Sequence, residues 1–519
     1  MKFARLFLTV GLFVPAFADI AQAATTNVPA LRNSRPNILI AISDDQSFAQ
    51  TSIAGCKSVQ TPAFDRVARE GVLFHNCFAA SPGCSPSRAS LLTGRHTWQI
   101  EQAGTHDSSF PTNYVAFPDL LEANGYAVGF TGKGWGPGNW KISGRTRNPA
   151  GPEFGKRKLA PPTTGISAND YAKNFQDFLA TRTNGQPFCF WYGAHEPHRD
   201  YEKGSGLKAG KRLEDVVVPP FLPDTPEVRS DILDYCLEIE WFDQQLNQML
   251  KTLEAAGELD NTIVIVTSDN GMPFPRAKAN CYEYGIHEPL AIRWGAQVPG
   301  GRTVDDIVGF VDLTATVLAA TGTKPPTLYP LSGHSILNTL TATNQGLVDP
   351  ASTVAWAARE RHSSSRYNNC TYPQRALRTA QFLYLRNFKP ERWPAGDPRA
   401  LKTDGSLGPV NGAFYDIDLG PTRNLLLHHY DDPVLGPFFQ LAVAKRPAEE
   451  LFDIKKDPDC LKNLAGDPAF AKVKNKLSQQ MMYYLEKTGD ARALGNGDIW
   501  ETYPRFSGIR KFPAPDTAQ

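Results

Sequence analysis

The sequence predicts an α/β fold: a mostly parallel sheet sandwiched by helices, followed by a smaller antiparallel-sheet domain at the C-terminal end. Three observations carry this prediction. Short unbroken apolar runs recur, each closed by polar or charged residues; helical patterns lie between them; and the chain beyond residue 350 changes character. Unbroken apolar runs suit strands buried on both faces. Strand followed by helix, repeated, suits a parallel sheet with helices on both sides. At 519 residues and 41% hydrophobic content the chain can bury a large core and exceeds one average domain.

Taken in chain order, the N-terminus reads as an export signal. Lys2 and Arg5 precede the apolar run Leu6 to Phe17, and Ala21-Gln22-Ala23 offers the small residues a signal peptidase accepts. A signal peptide is expected over residues 1–23, with a periplasmic or secreted product. That run is shorter than the roughly 20 residues of a membrane helix, and no later stretch approaches this length, so no membrane span is expected. The first strand is Ile38 to Ile42, stopping at Ser43-Asp44-Asp45; others follow at Ala127 to Thr131, Phe188 to Tyr192, Thr262 to Thr267 and Leu290 to Trp294. The clearest helix carries Ile239, Phe242, Leu246, Leu250 and Leu253 in one apolar stripe that Gly257 ends. These elements predict a large α/β domain over residues 24–345. A Thr-, Pro- and Gly-rich connection, Pro325 to about Pro350, leads into a C-terminal α+β domain over 346–519. There, strand-like runs such as Phe382 to Leu385 precede a helix from Phe470 to Leu485.

In such sheets ligands bind beyond the carboxyl ends of the strands. Asp44, Asp45, Lys133, His195, Asp269 and Asn270 each follow a predicted strand, so residues far apart in sequence should meet at one edge. The two acidic clusters are hard oxygen donors of the kind that suit Ca²⁺, and the lack of a Cys/His cluster argues against zinc. Basic and acidic residues number 54 and 53, a net charge of +1, so no overall field favours nucleic acid or an anionic membrane. An anionic ligand must be captured locally. Eight scattered cysteines argue against a disulfide scaffold.

The most informative stretch runs from Cys84-Ser85-Pro86-Ser87-Arg88 through Leu91-Leu92-Thr93-Gly94-Arg95. Read alone it is a helix start, with Pro86 in the first turn and a small buried cysteine. Read as Cys-x-Pro-Ser-Arg followed by Leu-Thr-Gly-Arg, it resembles the signature of the formylglycine-dependent sulfatases. Asn37-Ile38-Leu39-Ile40 leading into Asp44-Asp45 is similar to further landmarks of that family. So are Thr267 to Gly271 and Glu450-Leu451-Phe452-Asp453 with Asp457-Pro458 and Asn463-Leu464. Within the family, Cys84 to Thr93, His195 to Arg199 and Asn270 to Pro275 are most similar to the heparan N-sulfatases.

This resemblance implies an alkaline-phosphatase-like fold and hydrolysis of sulfate from a sulfated mono-, oligo- or polysaccharide. It implies that a formylglycine-generating enzyme oxidises Cys84 to 3-oxoalanine, whose hydrate is the nucleophile. A geminal diol beside a divalent cation loses a proton far more readily than an isolated hydroxyl. Asp44, Asp45, Asp269 and Asn270, with the modified Cys84, would hold Ca²⁺. Arg88 would orient the diol, and Lys133 and Lys278 would offset charge on the leaving oxygen. His195 would protonate the leaving group, and Trp135, His198, Arg361, His362 and Arg375 would contact substrate. One departure stands out: the family carries histidine two residues beyond the lysine at 133, where this chain has Trp135. Either another base such as His96 or His106 serves, or turnover is slow, and Trp135 instead stacks on a sugar. A phosphoester or phosphonate hydrolase and a non-catalytic sulfated-glycan binder remain alternatives.

Overall fold

The computed structural model describes residues 35–183 and 185–515, and the signal-peptide expectation lies outside them. Strands of the first sheet are β1 (Asn37–Ser43), β2 (Val72–Phe78), β3 (Ala127–Gly132), β4 (Phe188–Gly193), β5 (Thr262–Ser268), β6 (His287–Arg293) and β7 (Arg302–Gly309). They are ordered β3-β4-β1-β5-β6-β2-β7. From β3 to β5 every pairing is parallel, with Ile40 of β1 lying between Trp191 of β4 and Ile265 of β5. β6 runs antiparallel to both neighbours, β5 and β2, and β7 pairs parallel to β2. The sheet is therefore mixed and mostly parallel, as expected. The central strands are buried along their whole length, which is why their sequences show no alternation.

Helices cover both faces. On one, Phe64 and Val67 of Pro62–Glu70, Phe175 of Tyr171–Leu179 and Phe242, Leu246 and Leu250 of Pro226–Ala255 pack on Leu39, Ala41, Val264 and Val266. On the other, Leu91 of Cys84–Thr93, Phe117 of Phe117–Ala123 and Leu313 and Val317 of Phe310–Ala320 meet Ile40 and Ile265. Period-two alternation along β1 and β5 thus feeds two separate layers of core. The stripe predicted from Ile239 to Leu253 lies within the helix Pro226–Ala255, which Thr225 caps through Val228 N and which Gly257 follows in the left-handed region at φ +66°.

The second sheet is antiparallel, built from β8 (Val354–Arg359), β9 (Gln374–Thr379), β10 (Phe382–Asn387) and β11 (Glu449–Asp453) in the order β11-β10-β9-β8. The helix Ala471–Lys487 lays Leu477, Met481 and Leu485 on Leu377, Tyr384 and Leu451 of this sheet. Its other face joins Phe78 and Ile307 of the first sheet through Ala357, Ala376 and Leu385. Among the described residues no helix is long and apolar enough to cross a membrane.

Candidate active site

Parallel strands end on a common edge, and β1, β3, β4 and β5 deliver Asp44-Asp45, Lys133, His195 and Asp269-Asn270 there. The helix Cys84–Thr93 starts at the same place. All ten of its residues are buried, and its N-cap, Gly83, offers no side chain to the first amides, so they remain available to an anion.

Three cations interleave with the acids. Arg88 Nε donates to Asp269 Oδ2 at 2.6 Å, and its Nη1 donates to the carbonyl of Lys133 at 2.8 Å. Lys133 Nζ pairs with Asp44 Oδ2. Lys278 Nζ bridges Asp45 Oδ2 at 2.7 Å and Asp418 Oδ2 at 2.9 Å. The loop carrying Lys278 is tied to the strand-to-helix turn before Cys84 by a bond from Ala279 N to the carbonyl of Pro82. Asp45 adopts φ +76° and is fixed from three sides. Its N–H donates to Asp269 Oδ1, Tyr235 Oη donates to its carbonyl, and Asn270 Nδ2 donates to its Oδ1 at 2.7 Å. Cys84 Sγ lies 3.9 Å from the same Oδ1.

Two buried oxygens here accept no hydrogen bond: Asn270 Oδ1 and Asp44 Oδ1, whose nearest cation is Arg88 Nη2 at 3.9 Å. Asp44, Asp45 and Cys84 bring ligand atoms within 4.8 Å of one another. Buried acceptor oxygens without donors are what a hard cation satisfies, so the donor set fits Ca²⁺. Burial raises Asp45 and Asp269, to about 7 and about 6, against the pull of Lys278 and Arg88 respectively. Burial also opposes ionisation of Asp44, but Lys133, His198 and Arg88 outweigh it and hold that carboxyl well below the usual range. Burial and then Asp44 push the Cys84 thiol up, so the unmodified side chain is a poor nucleophile.

His195 is held by its backbone N–H on Tyr171 Oη at 3.1 Å. Partial desolvation by the surrounding protein and then Lys133 draw its imidazole down to about 4, so it is neutral at pH 7; an anion beside Lys133 would oppose that pull. His195 and His198 line the open side of the site, His195 exposed and His198 half-buried with Nε2 3.9 Å from Asp45 Oδ2. His362 arrives from the second sheet, three residues beyond β8, and its Nδ1 lies 3.0 Å from where a Cβ on Gly83 would sit. Its ring stacks obliquely on His106, centroids 4.7 Å apart.

Other expected contacts lie elsewhere. Trp135 donates its indole N–H to the Ser85 carbonyl and meets Phe110 edge-on, leaving 3% of it exposed, so it braces the Cys84 helix and has no free face for a sugar. Arg361 donates to the carbonyls of Tyr503 and Pro504 and is 2% exposed. Arg375 is locked to Asp490 and Glu360, 1% exposed. His96 bonds Tyr484 Oη and lines a separate cavity of about 180 Å³ with Asp312, His334 and Trp356. Of the proposed replacement bases, His106 is therefore the one beside the site, through His362. Sequence reasoning missed Asp418, which lies in the irregular segment between β10 and β11 where no strand end marks it.

An α/β sheet edge of carboxylates, three cations and a helix start defines an enzyme that handles an anionic ester. The family comparison makes this specific: the Sulfatase family model matches residues 36–323, and the chain belongs to the sulfatase family of sulfuric ester hydrolases. It is 28% identical to human N-sulphoglucosamine sulphohydrolase over 91% of this chain and 94% of that protein. It is 25% identical to an ulvan-active sulfatase of Formosa agariphila, over 90% and 77% of the two chains. Among solved structures, one captured in complex with its substrate D-glucosamine-2-N,6-O-disulfate superposes with TM-score 0.61 at 20% identity, covering 88% of this chain and 98% of that one. A 2-O GAG sulfatase superposes at 0.59 with 18% identity, over 93% and 98%. These likenesses show the same fold.

Proposed function

We propose that this protein is an exported enzyme that hydrolyses a sulfate ester or sulfamate on a sulfated carbohydrate, releasing inorganic sulfate. The observation that carries the reading is the pair of buried, donorless oxygens of Asp44 and Asn270 beside Cys84 at an unblocked helix start. The sugar substrate is suggested by the relatives: one acts, by its name, on N-sulphoglucosamine and another on ulvan. Asp44, Asp45, Asp269, Asn270 and the modified Cys84 would hold the calcium. When present, calcium would polarise the sulfate oxygens, and formylglycine at position 84 would supply the attacking oxygen in place of an inert thiol.

The chain's own residues do the rest. Lys133 and Lys278, paired to the adjacent carboxylates of Asp44 and Asp45, bind the sulfate as point charges. Free amides at the start of the Cys84 helix add oriented donors. Arg88, fully buried and fixed by Asp269 and two carbonyls, cannot swing toward solvent and so holds position 84 in register. His195 stands beside Lys133 to deliver the proton that the departing sugar oxygen or nitrogen requires. With tryptophan at position 135, His362 beside Gly83, and His106 against it, would take up a proton when sulfate leaves, against the burial that holds both imidazoles below their ordinary range.

The test is peptide mass spectrometry over Cys84 in protein made with a formylglycine-generating enzyme, followed by sulfate release from N-sulfated and O-sulfated glucosamine. Formylglycine with release supports the proposal and identifies the bond preferred. Fully modified protein that leaves both sugars intact, yet hydrolyses a matched phosphate ester, would replace it with the phosphoester reading.

A further inference from the structure

The segment following Asp44 and Asp45 runs along one face of the helix Pro226–Ala255 and is pinned to it at regular intervals. Gln60 N donates to Glu240 Oε1 at 2.8 Å, and the N–H groups of Ala63 and Phe64 donate to the two oxygens of Asp243, each at 2.8 Å. One turn nearer the helix start, Cys236 occupies the same face, since 236, 240 and 243 are spaced i, i+4 and i+7. Cys56 faces it. Both sulfurs contact the same hydroxyl, Ser58 Oγ, at 3.3 and 3.5 Å, which makes the two thiols neighbours. Cys236 is fully buried, whereas Cys56 is part-exposed on a loop.

We propose that Cys56 and Cys236 are a redox pair that closes into a disulfide, cross-linking the segment that carries Asp44 and Asp45 to this helix. The bond would form next to Tyr235, whose hydroxyl holds the Asp45 carbonyl at 3.1 Å, so it would brace the acidic edge from behind. The chemistry is exchange with a low-molecular-weight disulfide such as oxidised glutathione. Cys56 thiolate attacks one glutathione sulfur and expels the other as a thiolate. Cys236 then gives up its proton and attacks the Cys56 sulfur, expelling the second glutathione. Two S–H bonds are lost, one protein S–S bond is gained and the oxidant is reduced to two thiols. The asymmetry suits these roles. The neighbouring Cys236 and then Ser58 draw Cys56 down to about 6, which supplies thiolate at neutral pH, and access favours it as the attacking group.

The experiment treats the reduced full-length protein with oxidised glutathione and maps its cysteines by non-reducing digestion and mass spectrometry. The expected product is a peptide pair joined through Cys56 and Cys236, two hydrogens lighter than the thiols. Because the closed loop spans roughly 180 residues, Tm should rise by about 5 °C and return on adding dithiothreitol. In Cys236→Ser the reaction should stop at glutathione on Cys56, and in Cys56→Ser position 236 should stay unmodified. A stable glutathione adduct on Cys56 of the wild-type protein with Cys236 still free would overturn the proposal, as would two unreacted thiols.

Discussion

Two regions of this molecule bury arginine and carboxylate side chains, and they finish differently. Around the second sheet, Arg359 and Arg366 converge on Asp416, Arg375 joins Asp490 to Glu360, and Arg492 closes on Glu360. Every carboxylate oxygen of Asp416, Glu360 and Asp490 accepts a hydrogen bond. The guanidinium groups of Arg359 and Arg366 also lie over the Tyr372 ring. At the edge of the first sheet the pairing stops short, leaving Asp44 Oδ1 and Asn270 Oδ1 without donors. A buried charge cluster that satisfies its acceptors internally is architecture; one that leaves acceptors over is built for something else to complete it.

Removing position 84 should give the largest effect and leave the fold alone. Cys84→Ala should lower sulfate release by about 10⁴-fold or more, with Tm within about 2 °C of wild type, because the side chain donates no strong hydrogen bond. Full activity in this variant would place the chemistry elsewhere. Arg375→Ala should do the reverse. It strands the Asp490 carboxylate inside the protein and leaves Glu360 to Arg492 alone, costing about 3–5 kcal/mol, while the turnover of the molecules still folded stays near wild type. Should turnover per folded molecule collapse as well, the charge cluster of the second sheet would be coupled to the site rather than purely architectural.

His195→Ala is the next step down. Loss of a proton donor should slow release from a sugar sulfate by about 10²–10³-fold, and release from 4-nitrophenyl sulfate, which needs no proton, by less than about tenfold. Equal losses on both substrates would make His195 a positioning residue, held by Tyr171 rather than acting on the leaving group.

The edge was legible because parallel strands give long apolar runs with abrupt polar ends: Ile38 to Ile42 and Thr262 to Thr267 locate their own acids. β2 and β7 were not. Val72–Phe78 carries His75 and Asn76 at a bulge, and Arg302–Gly309 is an edge strand with Asp305 exposed, so neither shows an unbroken run. Among the arginines, sequence cannot separate the two kinds of cluster. Arg361 and Arg375 stand in a basic and aromatic stretch that suits an anionic sugar, yet their partners Tyr503, Pro504 and Asp490 are more than a hundred residues away. Asp418 was invisible for the same reason: only the fold brings it to Lys278.

Glu238 tests the rule at its weakest point, since both its carboxylate oxygens are buried without donors although it lies on the helix Pro226–Ala255 rather than among the ligands at the edge. Here the deficit is met by a proton. Burial, with Glu196 nearby, raises Glu238 to about 9, so the folded protein keeps it neutral at pH 7 while the unfolded chain ionises it near 4.5. For an acid whose folded value is raised, stability is greatest below the unfolded value and falls as pH climbs toward the folded one. Glu238→Gln removes that loss. Its advantage over wild type should be near zero at pH 4.5, about 3 kcal/mol at pH 7, and level off above pH 9, read from urea unfolding at each pH. An advantage that did not grow with pH would mean that Glu238 is ionised in the fold, and that its two oxygens, like Asp44 Oδ1, await a cation.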